Sequence, residues 1–145
     1  MKLRQDSLGF LLADVSRLMR RAFQQRLEGS SLTLAQARAL VYVGRHEDVR
    51  QVDLADMLEV QPITLARLID QLANAGLVER RADPADRRAY RIFLTPAAAS
   101  HLAAIREVAA AIQADVLRDL DEQQAATIFF ALHQMRDNLG SRQGH

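Results

Sequence analysis

Two short helical patterns separated by only three residues constrain the fold of this chain more than any other feature. The patterns read QVDLADML (residues 51–58) and PITLARLIDQLANA (residues 62–75), with Glu59, Val60 and Gln61 between them. Pro62 suits the first position of a helix, where the N–H that proline lacks would have no partner in any case. This spacing is typical of a helix-turn-helix, a motif that places its second helix in the major groove of duplex DNA.

The second helix of this pair has one apolar face and one polar face. The apolar face, which must be buried, comprises Leu65, Leu68, Ile69 and Leu72. The opposite face comprises Ile63, Thr64, Arg67, Asp70, Gln71 and Asn74. Arginine can bond guanine bidentately and threonine can bond several bases, so we predict that Thr64 and Arg67 read bases and that Ile63 contacts a thymine methyl. Taken alone, the pattern also fits an ordinary amphipathic helix with a solvated face.

A hairpin pattern follows the helix pair directly. Gly76 supplies a helix stop, because glycine tolerates the left-handed conformation, and a strand is predicted from Leu77 to Arg81. The sequence Asp83-Pro84-Ala85-Asp86 has turn chemistry, since short acids bond their own backbone and proline has its φ already set. Residues 89–94 then alternate as a return strand should.

Five arginines crowd this one small hairpin. They are Arg80, Arg81, Arg87, Arg88 and Arg91. Asp83 and Asp86 neutralise only part of that charge, and a phosphate backbone would neutralise the rest. An arginine at the tip could also enter a narrow minor groove, where the potential is most negative. The alternative is a charged strand edge that blocks pairing with other chains.

Together, the helix and the hairpin give a predicted DNA-contacting set. It comprises Gln61, Ile63, Thr64, Arg67, Gln71, Arg87 and Arg88. Asp86 is predicted to support the hairpin by charge-assisted bonds to arginine side chains.

The chain resembles the MarR family of winged-helix transcription regulators. The resemblance lies in LADMLEVQPITLARLIDQLANAGLVER and DPADRRAYRIFLT, with the wing signature at Asp86-Arg87-Arg88 and the ending Leu94-Thr95, and it covers nearly all 145 residues. It implies a triangular homodimer that binds a palindromic operator, usually represses, and is released by a small aromatic or phenolic effector. It also implies that Arg88, as the wing arginine of the signature, enters the minor groove.

Further helices surround this region. The periodicity predicts one helix over residues 7–27 and a second from a Thr33/Gln36 capping box through Val43. A third is predicted from Pro96, with Thr95 as its cap, to Leu120. A fourth is predicted from Asp121 or Glu122 to Leu139, followed by a frayed tail from Gly140. Their surplus apolar surface argues for a dimer interface, the alternative being an intramolecular bundle.

The predicted fold class is mainly α with a small β-hairpin wing. The chain is predicted to be one domain over 1–145, in which a winged helix-turn-helix lobe at about 33–95 is flanked by dimerisation helices at 1–30 and 96–140.

Composition excludes several functional classes. The chain has no cysteine, so it can form neither a disulfide nor a thiol switch. No apolar run approaches the ~20 residues that cross a membrane, and no signal peptide is evident, so we expect a cytoplasmic protein without a membrane partner. The four histidines lie in different elements and no catalytic motif is found, so we predict no enzyme activity, cofactor or metal site, the His46-Glu47-Asp48 run being a solvated turn.

The sequence leaves open the effector-binding residues and one alternative function. An anionic phenol needs a cation and a stacking partner, which makes Arg17, Arg38, Tyr42 and His46 candidate effector-binding residues, although a structural role fits them equally well. The runner-up function is a scaffold that keeps the winged-helix shape but uses its basic hairpin to bind an acidic protein partner.

Overall fold

The computed structural model describes residues 7–140, and over that range the fold is mainly α with a small antiparallel sheet, as predicted. The first six residues of the predicted dimerisation segment 1–30 and the tail beyond Gly140 lie outside the described residues. The elements are α1 (Leu8–Arg26), α2 (Leu34–Arg45), β1 (Val49–Arg50), α3 (Gln51–Leu58), α4 (Pro62–Asn74), β2 (Val78–Asp83), β3 (Asp86–Leu94), α5 (Ala98–Val116) and α6 (Glu122–Gly140).

Side-chain caps define where several helices begin. The Ser7 hydroxyl accepts the N–H of Phe10 at 3.1 Å ahead of α1. The predicted capping box of α2 is confirmed: Thr33 Oγ1 accepts the N–H of Gln36 at 3.2 Å, and Gln36 Oε1 accepts the N–H of Thr33 at 2.9 Å. These reciprocal bonds satisfy N–H groups that have no partner within the helix. The helix continues two residues beyond the predicted end, to Arg45.

The helix pair α3–α4 packs through the predicted apolar stripe. Leu65, Ile69 and Leu72 are buried and Leu68 is partly buried, in a core shared with α2, α3 and the sheet. The connection turns at Glu59, whose φ of 56° is left-handed, and Pro62 opens α4 as predicted. The buried stripe leaves the polar face of α4 toward solvent, which is what a groove-binding helix requires.

The sheet has three strands in the order β1-β3-β2. Strands β2 and β3 form the predicted hairpin, antiparallel with Val78 opposite Leu94 and a bulge between Ala82 and Asp83. Strand β1 pairs with the other edge of β3, Val49 lying opposite Ile92. The sequence did not predict β1, because two residues are too few to show alternation.

The predicted bounds of α5 are wrong at both ends. Thr95 does not cap it: its hydroxyl donates to the carbonyl of Gly76 at 2.5 Å, joining the two ends of the hairpin, and the helix begins at Ala98. The helix ends at Val116 rather than Leu120, because Asp119 takes a left-handed φ of 71°. Asp121 then caps α6, its Oδ1 accepting the N–H of Gln124 at 2.8 Å.

The chain forms two compact units, Met1–Ile112 and Gln113–His145. The first contains α1, the helix pair, the sheet and most of α5, and the second contains the end of α5 and all of α6. None of the helices within residues 7–140 combines the length and the apolarity needed to span a bilayer.

Candidate nucleic-acid interface

The solvent face of α4 presents the predicted base-reading residues together. Gln61, Ile63, Thr64, Arg67 and Gln71 are all exposed. Ile63 is the informative case, because this large apolar side chain is 66% exposed at the start of the helix. An apolar group held in water at that position is suited to a thymine methyl in the major groove.

Arg80 ties the hairpin to this helix. Its Nη1 lies 2.6 Å from Asp70 Oδ1, its Nη2 donates to the carbonyl of Ala66 at 3.1 Å, and its Nε donates to Gln51 Oε1 at 2.9 Å. The side chain is only 24% exposed, so it is engaged within the fold. Arg80 thereby fixes β2 against both helices of the pair.

Two other hairpin arginines also have partners within the fold. Arg81 donates to Glu79 Oε1 at 2.6 Å and lies over the Phe93 ring at 3.8 Å, a cation–π contact. Arg91 Nη1 lies 3.2 Å from Asp48 Oδ1. We predicted that phosphate would neutralise the charge that Asp83 and Asp86 leave over, but three of the five arginines have partners within the fold.

Arg87 and Arg88 are different. Both are exposed, and within residues 7–140 neither guanidinium has an ion-pair partner. The sequence could not make this distinction, because Asp48 and Asp70 are far along the chain from the arginines they bind. Glu79, two residues from Arg81 and on the same strand face, was the one partner that strand periodicity could have indicated.

Asp86 supports the wing tip through the backbone. Its Oδ1 accepts the N–H of Arg88 at 3.0 Å, a bond to the main chain in place of the guanidinium contacts that we predicted. Short acids in turns form such bonds because the carboxylate reaches back to the N–H two residues on. Asp86 therefore sets the backbone path from which the Arg88 side chain extends.

An ion-pair network underlies the turn. The Asp83 carboxylate is fully buried, and its Oδ2 accepts from Arg50 Nε at 2.8 Å and lies 3.4 Å from Arg91 Nε. Its Oδ1 accepts the N–H of Ala85 at 2.9 Å. The Ala85 N–H and then the Arg50 guanidinium lower the pKa of Asp83, overcoming the opposing effect of burial. Asp83 in turn raises the pKa of Arg50, chiefly through their hydrogen bond.

This network predicts a pH dependence of folding. A lowered folded-state pKa stabilises the fold above the unfolded value of about 3.9, and the contribution is lost as pH falls through the folded pKa. Asp83→Asn keeps an oxygen for the Ala85 N–H but removes the charge. It should lower the urea midpoint at pH 7, and the gap from the natural protein should close as pH falls below about 4. A gap of constant size would show that the charge of Asp83 does not stabilise the fold.

An open cleft of about 280 Å³ joins the wing tip to the start of α4. Arg88 and Tyr90 line it from the wing, and Val52 and Pro62 from the helix pair. Arg88 of the wing and Pro62, the first residue of α4, therefore line the same cleft.

The candidate effector residues are only partly brought together. Tyr42 on α2 and His46 just beyond its end lie one turn apart with ring centroids at 6.2 Å, and Arg38 lies one turn before Tyr42. Arg17 lies on α1 and makes an exposed ion pair with Asp14 at 3.6 Å. A separate cleft of about 370 Å³ in this unit is lined by other residues, Glu47 and Arg106 among them.

Comparison with known proteins agrees with this geometry. Residues 32–90 match the model of the MarR family. A solved structure described as MarR is 26% identical, with 97% of this chain and 96% of that chain covered and a TM-score of 0.88. A MarR transcriptional regulator from Methanosarcina mazei Go1 is also 26% identical, with 90% and 94% covered and a TM-score of 0.81.

One similar structure contains nucleic acid. It is a mutant MarR from E. coli complexed with operator DNA, 24% identical, with 93% of this chain and 97% of that chain covered and a TM-score of 0.73. At that identity the likeness shows the fold alone. Members of the family are transcription regulators and not enzymes, in agreement with the prediction from sequence. Residues 32–90 therefore match the MarR family, and the chain has the winged helix-turn-helix fold of solved MarR transcription regulators.

Proposed function

We propose that this chain is a repressor that binds a palindromic operator as a homodimer. The observation that carries the proposal is the exposed surface of α4 and of the wing arginines Arg87 and Arg88, whose guanidiniums have no ion-pair partner within residues 7–140. Its groove-facing helix and its cationic tip suit the major groove and the adjacent minor groove of one duplex.

Each part of this surface has a distinct proposed role. Thr64 and Arg67 read base edges, Ile63 contacts a thymine methyl, and Gln61 and Gln71 lie at the two ends of the contact. Arg87 binds phosphate and Arg88 enters the minor groove. Phosphate contacts supply affinity and register, whereas base contacts supply sequence preference.

The homodimer is supported by apolar surface that each unit leaves exposed. In the first unit, Phe10 is 72% exposed and the N-terminal half of α1 has no buried residue. In the second unit, Phe130 is 71% exposed and α6 likewise has no buried residue. The exposed apolar side chains are Leu8, Phe10, Leu11, Leu12, Val15 and Leu18 on α1, and Ile128, Phe129, Phe130, Leu132 and Leu139 on α6. Monomeric proteins rarely leave so much apolar surface in water, so we propose that a second copy of the chain buries these side chains.

Release by a small aromatic or phenolic effector completes the proposal. Its support is the Tyr42–His46 ring pair with Arg38 one turn away on α2, which offers a stacking surface beside a cation. Because the ligand is duplex DNA, the proposed location is the cytoplasm.

Selection of bound duplexes from a random pool tests the function. We expect enrichment of a palindrome whose half-sites are centred about 10 bp apart, one helical turn. Binding without sequence preference would contradict the proposal. If DNA binding were also displaced by low concentrations of an acidic polypeptide, the scaffold alternative would be favoured.

The wing predicts an effect opposite in sign to simple electrostatics. Asp86→Ala removes a negative charge, yet it should weaken operator binding, because the Arg88 N–H loses the bond that fixes the wing tip. Asp86→Asn is the matched control: it removes the same charge but keeps an oxygen that can accept the N–H, so it should bind better than Asp86→Ala. Tighter binding by both variants, measured by fluorescence anisotropy, would show that the hairpin binds DNA only through its net positive charge.

The groove assignment of Arg88 is checked by changing the DNA. Arg88→Ala should lose more affinity for operators with A·T-rich flanks, where the minor groove is narrow, than for operators with G·C-rich flanks. Equal losses on both would place Arg88 on phosphate.

A further inference from the structure

Gln36 is hydrogen-bonded to the helix cap and to the reading helix at the same time. Its Oε1 accepts the N–H of Thr33 at 2.9 Å, while its Nε2 donates to Gln71 Oε1 at 2.8 Å. The side chain is half-buried, and the two glutamines are 35 positions apart in the chain. One residue therefore links the first turn of α2 to the exposed face of α4.

The hydrogen bond to the Thr33 N–H determines the orientation of the Gln36 and Gln71 carboxamides. A glutamine side chain has one acceptor atom and one donor atom. Because the N–H of Thr33 can only donate, Gln36 must offer it oxygen, and its NH₂ group is left facing Gln71. Gln71 must in turn offer its own oxygen to that NH₂ group. The NH₂ group of Gln71 is then the part of its carboxamide that remains free for the DNA.

We propose that Gln36 is a specificity-setting residue, which orients Gln71 so that a hydrogen-bond donor faces the base edge. The inference rests on the proposed function, since it needs α4 in the major groove. In that groove guanine presents two acceptors, N7 and O6, whereas cytosine presents an amino donor. Gln71 in this orientation favours guanine over cytosine at the position it contacts.

Two substitutions should place a hydrogen-bond acceptor, in place of the donor, at the base edge. Gln36→Glu keeps the capping box, because glutamate accepts the Thr33 N–H equally well, but it turns a second acceptor toward Gln71. Gln71 must then rotate to donate its NH₂ group to Glu, and its oxygen faces the DNA. Gln71→Glu leaves Gln36 as it is and also directs a carboxylate oxygen outward. Both variants should bind cytosine, whose amino group needs an acceptor.

The experiment is selection from a random duplex pool, followed by competition between operators that carry G·C or C·G at the position that Gln71→Ala relaxes. The natural protein should prefer guanine there by roughly tenfold, and both glutamate variants should prefer cytosine by a similar factor. Gln124→Glu is the matched control, because it makes the same change at the same position of the α6 capping box and should leave the preference for guanine intact.

The possible outcomes separate this inference from the function beneath it. If the natural protein enriches a palindrome but Gln36→Glu keeps the preference for guanine, the proposed function stands and the role of Gln36 is overturned. If Gln71→Ala weakens all sequences equally, Gln71 contacts phosphate and the inference is again overturned. If the natural protein enriches no sequence at all, the proposed function fails and this inference fails with it.

Discussion

Deletion of Asp121 to His145 is expected to leave a monomer that has lost specific operator binding. The deletion removes α6, none of whose apolar side chains is buried in the described part of the chain, and with it the proposed face for a second copy. A monomer can contact only one half-site, so the affinity gained by linking two reading helices is lost. Analytical ultracentrifugation and operator binding should therefore change together.

Controls separate loss of the dimer from loss of the fold. The unit that ends at Ile112 contains the helix pair and the sheet, so the shortened chain should keep the far-ultraviolet spectrum of a folded winged helix. In the full chain, Leu132→Glu should weaken the dimer, because it adds a charge to the exposed apolar side chains of α6, whereas Gln134→Glu adds the same charge at a polar position and should not. A truncated monomer that still binds the palindrome with full affinity would show that α6 is not the source of the dimer.

Arg67→Ala is expected to cost about 1 to 3 kcal/mol on the operator, or roughly a 5- to 150-fold loss of affinity. Arg67 is exposed on α4, and in the described part of the chain it makes no ion pair that would hold it away from DNA. The preference at one symmetric base position should relax, while binding to unrelated sequences should scarcely change. Thr64→Ala should have a milder effect.

The matched control is Arg45→Ala, which removes the same charge at the far end of α2 from the capping box. It should leave the base preference unaltered. If Arg67→Ala weakened every sequence equally, Arg67 would be a phosphate contact and the proposed position of α4 in the groove would be wrong.

Local chemistry made much of this fold predictable. The capping box at Thr33 and Gln36, the proline that opens α4 and the left-handed Gly76 all depend on interactions within a few residues of sequence. Periodicity gave the buried stripe of α4 because burial repeats with the helix turn. The same reasoning separated the two faces of the helix, and so identified the candidate base readers.

Contacts between distant residues were not predictable in the same way. Arg80 looked like a phosphate ligand until the fold brought Asp70 and Gln51 to it. Thr95 has the chemistry of a helix cap, but its hydroxyl donates instead to the carbonyl of Gly76 at the other end of the hairpin. In both cases a residue has two chemically reasonable partners, and only the tertiary structure determines which one it contacts.

The mass of the complex with the selected duplex tests the central claim most directly. With a duplex carrying one palindrome, light scattering should give two chains per duplex, twice the 16.2 kDa of one chain, and a duplex with one scrambled half-site should bind far more weakly. A saturated complex of one chain per palindrome, with equal affinity for the scrambled duplex, would contradict the account of a homodimer that reads two half-sites.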